Sequence, residues 1–369
     1  MAWTERYVDA NATGLGGGAS AGDPWTISQA VSLGTLSGPM RINVKAGSYD
    51  VSFGLNASWS GNSGANRVWY RGYKTTPGDL HGVDILTQTA GTDCPLIFTQ
   101  ASSVIVNFDE ASTILSDMQF ESESARIVVG SSSLLMNCKF TRSLAATSDI
   151  FQIGGNSNVV ACQFNGVSTS SDGLLKVVGS ADIYGCEFTL SSSNSGDRMI
   201  ETSVGTSVRD CLFSSDGNGI AVYGRPALVE NCTFYNLEGA VFLDSTDSNS
   251  VFSSIQNILH TVGTGYETSV TGTSGATLIG NVNYLVTTKV DSSMTDVIEL
   301  NEQTSSTDPI DVSGGFALTS TSDGLASNVN LPFGLMENID SGAFQSAPSS
   351  GGGGGGGGTT TISLHPLDA

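Results

Sequence analysis

Leu134-Leu135-Met136-Asn137-Cys138-Lys139-Phe140 is the first of five copies of one phrase. The others are Val159-Val160-Ala161-Cys162-Gln163-Phe164, Ile183-Tyr184-Gly185-Cys186-Glu187-Phe188, Val208-Arg209-Asp210-Cys211-Leu212-Phe213 and Val229-Glu230-Asn231-Cys232-Thr233-Phe234. Ile114 to Phe120 is a sixth, with Met118 in the cysteine slot. A repeat length in the twenties signals a stacked solenoid. Between the copies lies a second phrase, an apolar run closed by glycine: Arg126–Gly130, Phe151–Gly154, Leu175–Gly179, Glu201–Gly205 and Ala221–Gly224. Each period therefore holds at least two short strands, and side chains two apart share a strand face, so Cys and Phe of Cys-x-Phe point the same way, inward.

A leucine-rich repeat has a similar period but needs a Leu-x-x-Leu-x-Leu frame and a helical half, which this chain lacks. The intervening Ser, Thr, Gly, Asn and Asp make turns. The expected fold is all-β, a right-handed, single-stranded parallel β-helix in which each coil hydrogen-bonds to its neighbours.

A ladder of cysteines also invites a metal or redox reading. Zinc needs tetrahedral convergence, usually with Cys-x-x-Cys or His partners, and a straight ladder offers neither. The five are read as small core hydrophobes, with Cys94 a further unpaired thiol. Unpaired spacing argues against a disulfide scaffold.

Fourteen basic and 35 acidic residues give a net charge of −21, a surface that repels nucleic acid and anionic membranes. The acids are scattered and form no tail of like charge. No apolar run is long enough to span a bilayer. The first residues carry neither a basic nor an apolar signal region, which leads to the expectation that the chain is not secreted by that route.

Working outward, Tyr7-Val8-Asp9, the glycines up to Gly18 and Gly22-Asp23-Pro24-Trp25-Thr26-Ile27-Ser28-Gln29-Ala30-Val31 resemble the opening segment of pectate-lyase-like β-helix proteins. Ile42–Tyr49 resembles that family's first full strand and turn, and Arg67–Asp79 a segment seen in many bacterial and bacteriophage β-helices. Asp340-Ser341-Gly342-Ala343-Phe344-Gln345 resembles the family's closing signature, with Ser341 in place of the usual Ile. The resemblance implies a short helix capping the first coil, with Asp23 as N-cap, Pro24 at the first helical position, and Trp25, Ile27 and Val31 covering the core. The expected organisation is residues 1–40 as opening strand and capping helix, 41–349 as β-helix, and 350–369 as a Gly-rich tail. Gly351–Gly358 reads as a flexible tether. Thr359–Ala369 reads as a peptide able to add to a neighbour's sheet edge.

The resemblance also implies a search for pectate-lyase chemistry, in which acids of adjacent coils bind Ca²⁺ and an Arg or Lys removes a proton beside the sugar carboxylate. Arg142, Lys176, Arg198, Arg209 and Arg225 fall in the repeat region, with Asp149, Asp172, Asp197, Asp210 and Asp216 nearby. None recurs at matching positions of neighbouring coils, and a calcium site needs six to eight converging oxygens. A glycoside hydrolase needs two carboxylates across a groove, which any acidic β-helix could supply. His81, His260 and His365 are the only histidines, and no Gly-x-Ser-x-Gly elbow accompanies them. Gly14-Leu-Gly-Gly-Gly lacks the Lys-Ser/Thr of a phosphate loop. No catalytic, cofactor-binding or metal-binding residue is assigned, and no cofactor.

Three functions remain. The resemblance to bacteriophage spike, fibre and capsid-decoration proteins implies a structural or attachment component of a virus particle, exposed on its surface. Such a chain would partner copies of itself as a homotrimer, other virion proteins through residues 359–369, and cell-surface polysaccharide. A polysaccharide-degrading lyase or hydrolase, and a bacterial surface adhesin in an extracellular setting, are the alternatives.

Overall fold

The structure, a computed structural model, describes residues 2–60, 67–100, 105–108, 112–123, 126–143, 151–168, 173–192, 196–244, 249–269, 273–312 and 317–318. Asp149 and Asp172, the closing signature at 340–345, the glycine run and the 359–369 peptide lie outside these residues.

The chain winds as a parallel β-helix with three faces. Strands Leu134–Met136, Ser157–Val160 and Ala181–Tyr184 stack on the first face. Lys139–Arg142, Gln163–Ser168, Glu187–Ser192 and Leu212–Ser215 stack on the second. Phe151–Gly154 and Gly173–Val178 belong to the third.

The Cys-x-Phe phrase is bent, because the residue before each cysteine adopts a left-handed backbone: Asn137, Ala161, Gly185, Asp210 and Asn231 have φ of 52°, 50°, 61°, 52° and 55°. That one residue turns the chain from the first face to the second. Asn, Asp and Gly tolerate this conformation and Ala161 is the costly exception. Asp117, Gln256, Gly280 and Asn301 make the same corner in other coils.

Cys and Phe both point inward, as expected. Cys138, Cys162, Cys186, Cys211 and Cys232 are buried and unbridged. Phe120, Phe140, Phe164, Phe188, Phe213 and Phe234 form a column whose successive ring centroids are 4.9, 5.0, 4.9, 5.0 and 5.1 Å apart. The strand spacing of about 4.8 Å imposes this distance on any side chain repeated in register. After Phe234 the same corner continues with new residues. Asn257 and Asn281 follow Cys232 in the inner slot, and Glu302 follows Asn281. The Asn257 carboxamide accepts the Cys232 amide at 2.7 Å, and that of Asn281 accepts the Asn257 amide at 2.8 Å. Between one pair of cysteine coils the thiol does this more weakly: the Cys162 amide meets the Cys186 sulfur at 3.5 Å.

The capping helix is present but starts later than expected. It spans Ile27–Val31, and its N-cap is Thr26, whose hydroxyl accepts the Gln29 amide while the Gln29 side chain accepts the Thr26 amide. Asp23 instead accepts the Gly17 amide at 2.8 Å, closing the glycine loop. Thr26 wins because Gln29 completes a capping box with it. Ile27, Ala30 and Val31 cover the core, with Trp25 packed half-buried beside them. The opening strand Thr4–Val8 pairs in parallel with Met40–Lys45, so it forms part of the first coil.

Candidate functional site

Register creates surface columns that the sequence hides. On the outside of the third face, Gln152, Lys176, Glu201, Tyr223, Phe242 and Glu267 are successive partners, one per coil. Their sequence separations differ because the intervening loops differ in length.

The centre of this column is a charged cluster beside an aromatic stack. Lys176 Nζ lies 2.9 Å from Glu201 Oε1, and Arg198 Nη1 lies 3.3 Å from Glu201 Oε2. The Arg198 guanidinium sits over the Tyr223 ring, 3.2 Å from its centroid. Tyr223 stacks on Phe242 with centroids 5.1 Å apart and planes within 9°. Both rings are half-buried. The Tyr223 hydroxyl donates to the Asp244 carboxylate, which also accepts from Ser269 Oγ at 3.0 Å. Partial burial first, and the Asp244 carboxylate second, push the Tyr223 phenol up to about 12 against the opposing pull of Arg198. Further along, burial and the neighbouring Asp291 push the Glu267 carboxyl above its ordinary range.

Chemically, the cluster offers a ligand the edges of two stacked rings, Tyr223 having one face under Arg198 and the other against Phe242, rimmed by hydrogen-bonding groups. It is poorly set up for proton transfer: Glu201 is held by two cations and Tyr223 keeps its proton at neutral pH.

Of the cations noted in the sequence, the fold brings Lys176 and Arg198 together. Arg209 pairs with Glu230 at 3.5 Å on the first face. Arg142 is buried at the end of the strand Lys139–Arg142, and Arg225 lies half-buried in Ile220–Glu230. Asp197 is buried, Asp210 makes a corner and accepts from Asn231, and Asp216 occupies an exposed turn with Ser215. None of these three joins the cluster. Lys176 faces Glu201, a residue outside the ten considered in the sequence, across adjacent coils. Glu201, Tyr223, Phe242 and Asp244 were missed. The glycine-closed phrases Leu175–Gly179, Glu201–Gly205 and Ala221–Gly224 contained the signal for the first two, since each places one of these side chains beside the next coil's. Among the described residues, no three His, Cys, Asp or Glu side chains gather as metal ligands.

A second column, on the outside of the second face, stacks Tyr235, His260 and Tyr284, with ring centroids 5.1 and 4.8 Å apart. His260 is almost fully buried, and its Nε2 lies 3.0 Å from Asp308.

Fold and surface together define an acidic parallel β-helix with aromatic, charge-flanked columns on its outer faces. A protein-family model described as adenovirus EB1 55K protein / large t-antigen matches residues 92–261, less than half of the chain. Comparison with curated proteins gives no match. Among solved structures, the chain is similar to the pectate lyase Pel9A, at 14% identity over 93% of this chain and 96% of that one, with a TM-score of 0.46. It is similar to the PL6 family polysaccharide lyase Pedsa3628 from Pseudopedobacter saltans at 10% identity, over 77% and 92% of the two chains, TM-score 0.41. A rhamnogalacturonan lyase is 13% identical over 82% and 87%, TM-score 0.38.

Proposed function

We propose that this chain is a structural and attachment component of a virus particle, a tailed-bacteriophage capsid-decoration, spike or fibre protein that binds cell-surface polysaccharide through the outer column of its third face. The observation that carries the reading is the Tyr223–Phe242 stack, whose flanking charges are satisfied internally by Lys176, Arg198 and Glu201. Such a surface can hold a saccharide ring without turning it over. The family-model match to an adenoviral protein over the repeat is consistent with a viral origin. In this reading the partners are further copies of the chain, as a homotrimer, and other virion proteins engaged by residues 359–369.

The test is to incubate the purified protein with a panel of acidic and neutral bacterial polysaccharides and to record retention and product size by gel filtration. Retention without shortening, abolished in Tyr223→Ala, is the expected result; failure of every polysaccharide to bind would remove the attachment role. Deleting residues 351–369 should abolish incorporation into particles while leaving thermal unfolding of the rod unchanged.

A polysaccharide-degrading enzyme is the second reading. It is favoured by the meeting of Lys176, Arg198, Glu201 and Tyr223 in one patch, where a cation could hold a uronate carboxylate. Shortened chains in the same assay would establish it.

A further inference from the structure

After the last described coil the chain stays on the rod. Residues 305–312 cross the outside of the second face. The Ser305 amide donates to the Asn283 carbonyl at 2.9 Å, and Ser305 Oγ turns the chain by bonding the Thr307 carbonyl at 2.6 Å. Asp308 Oδ1 accepts the Ile310 amide at 3.0 Å and His260 Nε2 at 3.0 Å. Ile310 is buried against Ile258 and Val282, with Tyr235 alongside, in an apolar cluster separate from the main core. Ile310–Asp311 then pairs with Ala317–Leu318 in a two-stranded antiparallel ribbon that is not part of the helical sheet.

The column underneath is complete without this crossing. Tyr235, His260 and Tyr284 sit on strands bonded to one another in register, Thr233–Leu243, Ile258–Thr268 and Val282–Tyr284. Each ring is followed by a left-handed residue: Asn236, Thr261 and Leu285 have φ of 53°, 54° and 51°. For β-branched Thr261 this conformation is strained, and its hydroxyl lies 2.9 Å from His260 Nδ1. With Asp308 accepting from Nε2–H, Nδ1 of the neutral ring accepts the Thr261 hydroxyl, so one tautomer serves both partners. The imidazole is thus fixed from its own strand and presents a single donor to the crossing segment.

We propose that residues 305–312 form a strap that opens as a unit, uncovering the Tyr235–His260–Tyr284 column, with the His260–Asp308 hydrogen bond as its latch. Segments that carry their own small cluster and few bonds to the rest open at lower free energy than the global fold. Among the described residues the strap has that character: a side-chain latch from Asp308 to His260, a backbone bond from Ser305 to Asn283, and the buried Pro309 and Ile310, the latter in a cluster apart from the main core.

The test is hydroxyl-radical footprinting of the full chain, reading Tyr235 and Tyr284 against Tyr70 of the rod core, in wild type and Asp308→Ala. The expected result is a severalfold rise in labelling of Tyr235 and Tyr284 in the variant, with Tyr70 and the thermal unfolding midpoint unchanged. Labelling that stays at the wild-type level, or a parallel rise at Tyr70, would make the crossing an integral part of the fold and overturn the proposal. Ile310→Val provides a second variant that trims the anchor by one methylene. It should raise Tyr235 and Tyr284 labelling by a smaller factor, and a fully silent Ile310→Val together with a silent Asp308→Ala would also reject the strap.

Discussion

Asp117 shows how one side chain can be read only when its neighbours are known. It occupies the corner before Met118, with φ of 59°, and is 2% exposed. Asn137 Nδ2 donates to one carboxylate oxygen at 2.7 Å and Ser116 Oγ to the other at 2.9 Å. Burial nevertheless dominates and pushes the carboxyl up to about 6, opposed by those two bonds and by His81 and Arg71. An acid whose native pKa exceeds its unfolded value binds its proton more tightly in the fold, so stability is gained as pH falls through the native value and the gain is complete below the unfolded one. Asp117→Asn keeps a residue that favours the left-handed corner and removes the buried charge. It should stabilise the protein by about 1–3 kcal/mol at pH 8, and the advantage should fade towards pH 4, measured by urea unfolding at both values. A pH-independent difference would assign the effect to something other than the carboxyl. Cys186 was legible from alternation alone, and its burial supports the complementary experiment. Cys186→Asp should cost more than about 3 kcal/mol through an unpaired charge in the core, and a variant as stable as wild type would place that slot outside the core.

The corner ladder explains why some elements were visible in the sequence and others were not. Cys-x-Phe was visible because five coils use the same residues for the same two slots. Its bend was less so: the Asn, Ala, Gly, Asp and Asn before the cysteines look unrelated until their shared left-handed backbone is seen. Beyond Phe234 the frame loosened in sequence because Asn257 and Asn281 replace cysteine, although the backbone keeps register. The outer column of the third face was invisible because its spacing follows loop length. The inner slot can be tested as an element. Asn257 accepts the Cys232 amide and donates to the Val229 carbonyl at 3.0 Å and to Ser254 Oγ at 2.8 Å. Asn257→Leu should cost about 2–4 kcal/mol by orphaning these groups in a buried site. Asn257→Cys should cost less than half as much, since a thiol fills this slot in five other coils. Chemical denaturation of the two variants side by side decides it, and equal costs would deny the slot its hydrogen-bonding role.

At the scale of the whole molecule, charge and cooperativity pull in different directions. Each coil contacts its neighbours, so stability accumulates along the stack, while a net charge of −21 spreads repulsion over the full length. Ion pairs such as Lys45–Asp9, Lys74–Asp93 and Lys289–Glu299, at 2.9, 2.6 and 2.6 Å, offset part of this. All three involve side chains open to solvent, and pairs of that kind contribute about 0–1 kcal/mol each. Salt weakens both effects, yet the unpaired excess of acids outnumbers what the few cations can neutralise. Screening reaches a Debye length of about 10 Å at 0.1 M, short enough to decouple charges several coils apart while leaving close pairs largely in contact. The urea midpoint should therefore rise between about 10 mM and 150 mM sodium chloride. A midpoint that falls would mean that the local pairs outweigh the long-range repulsion. In that case, packing copies side by side, as the proposed homotrimer requires, would depend less on counterions than the net charge implies.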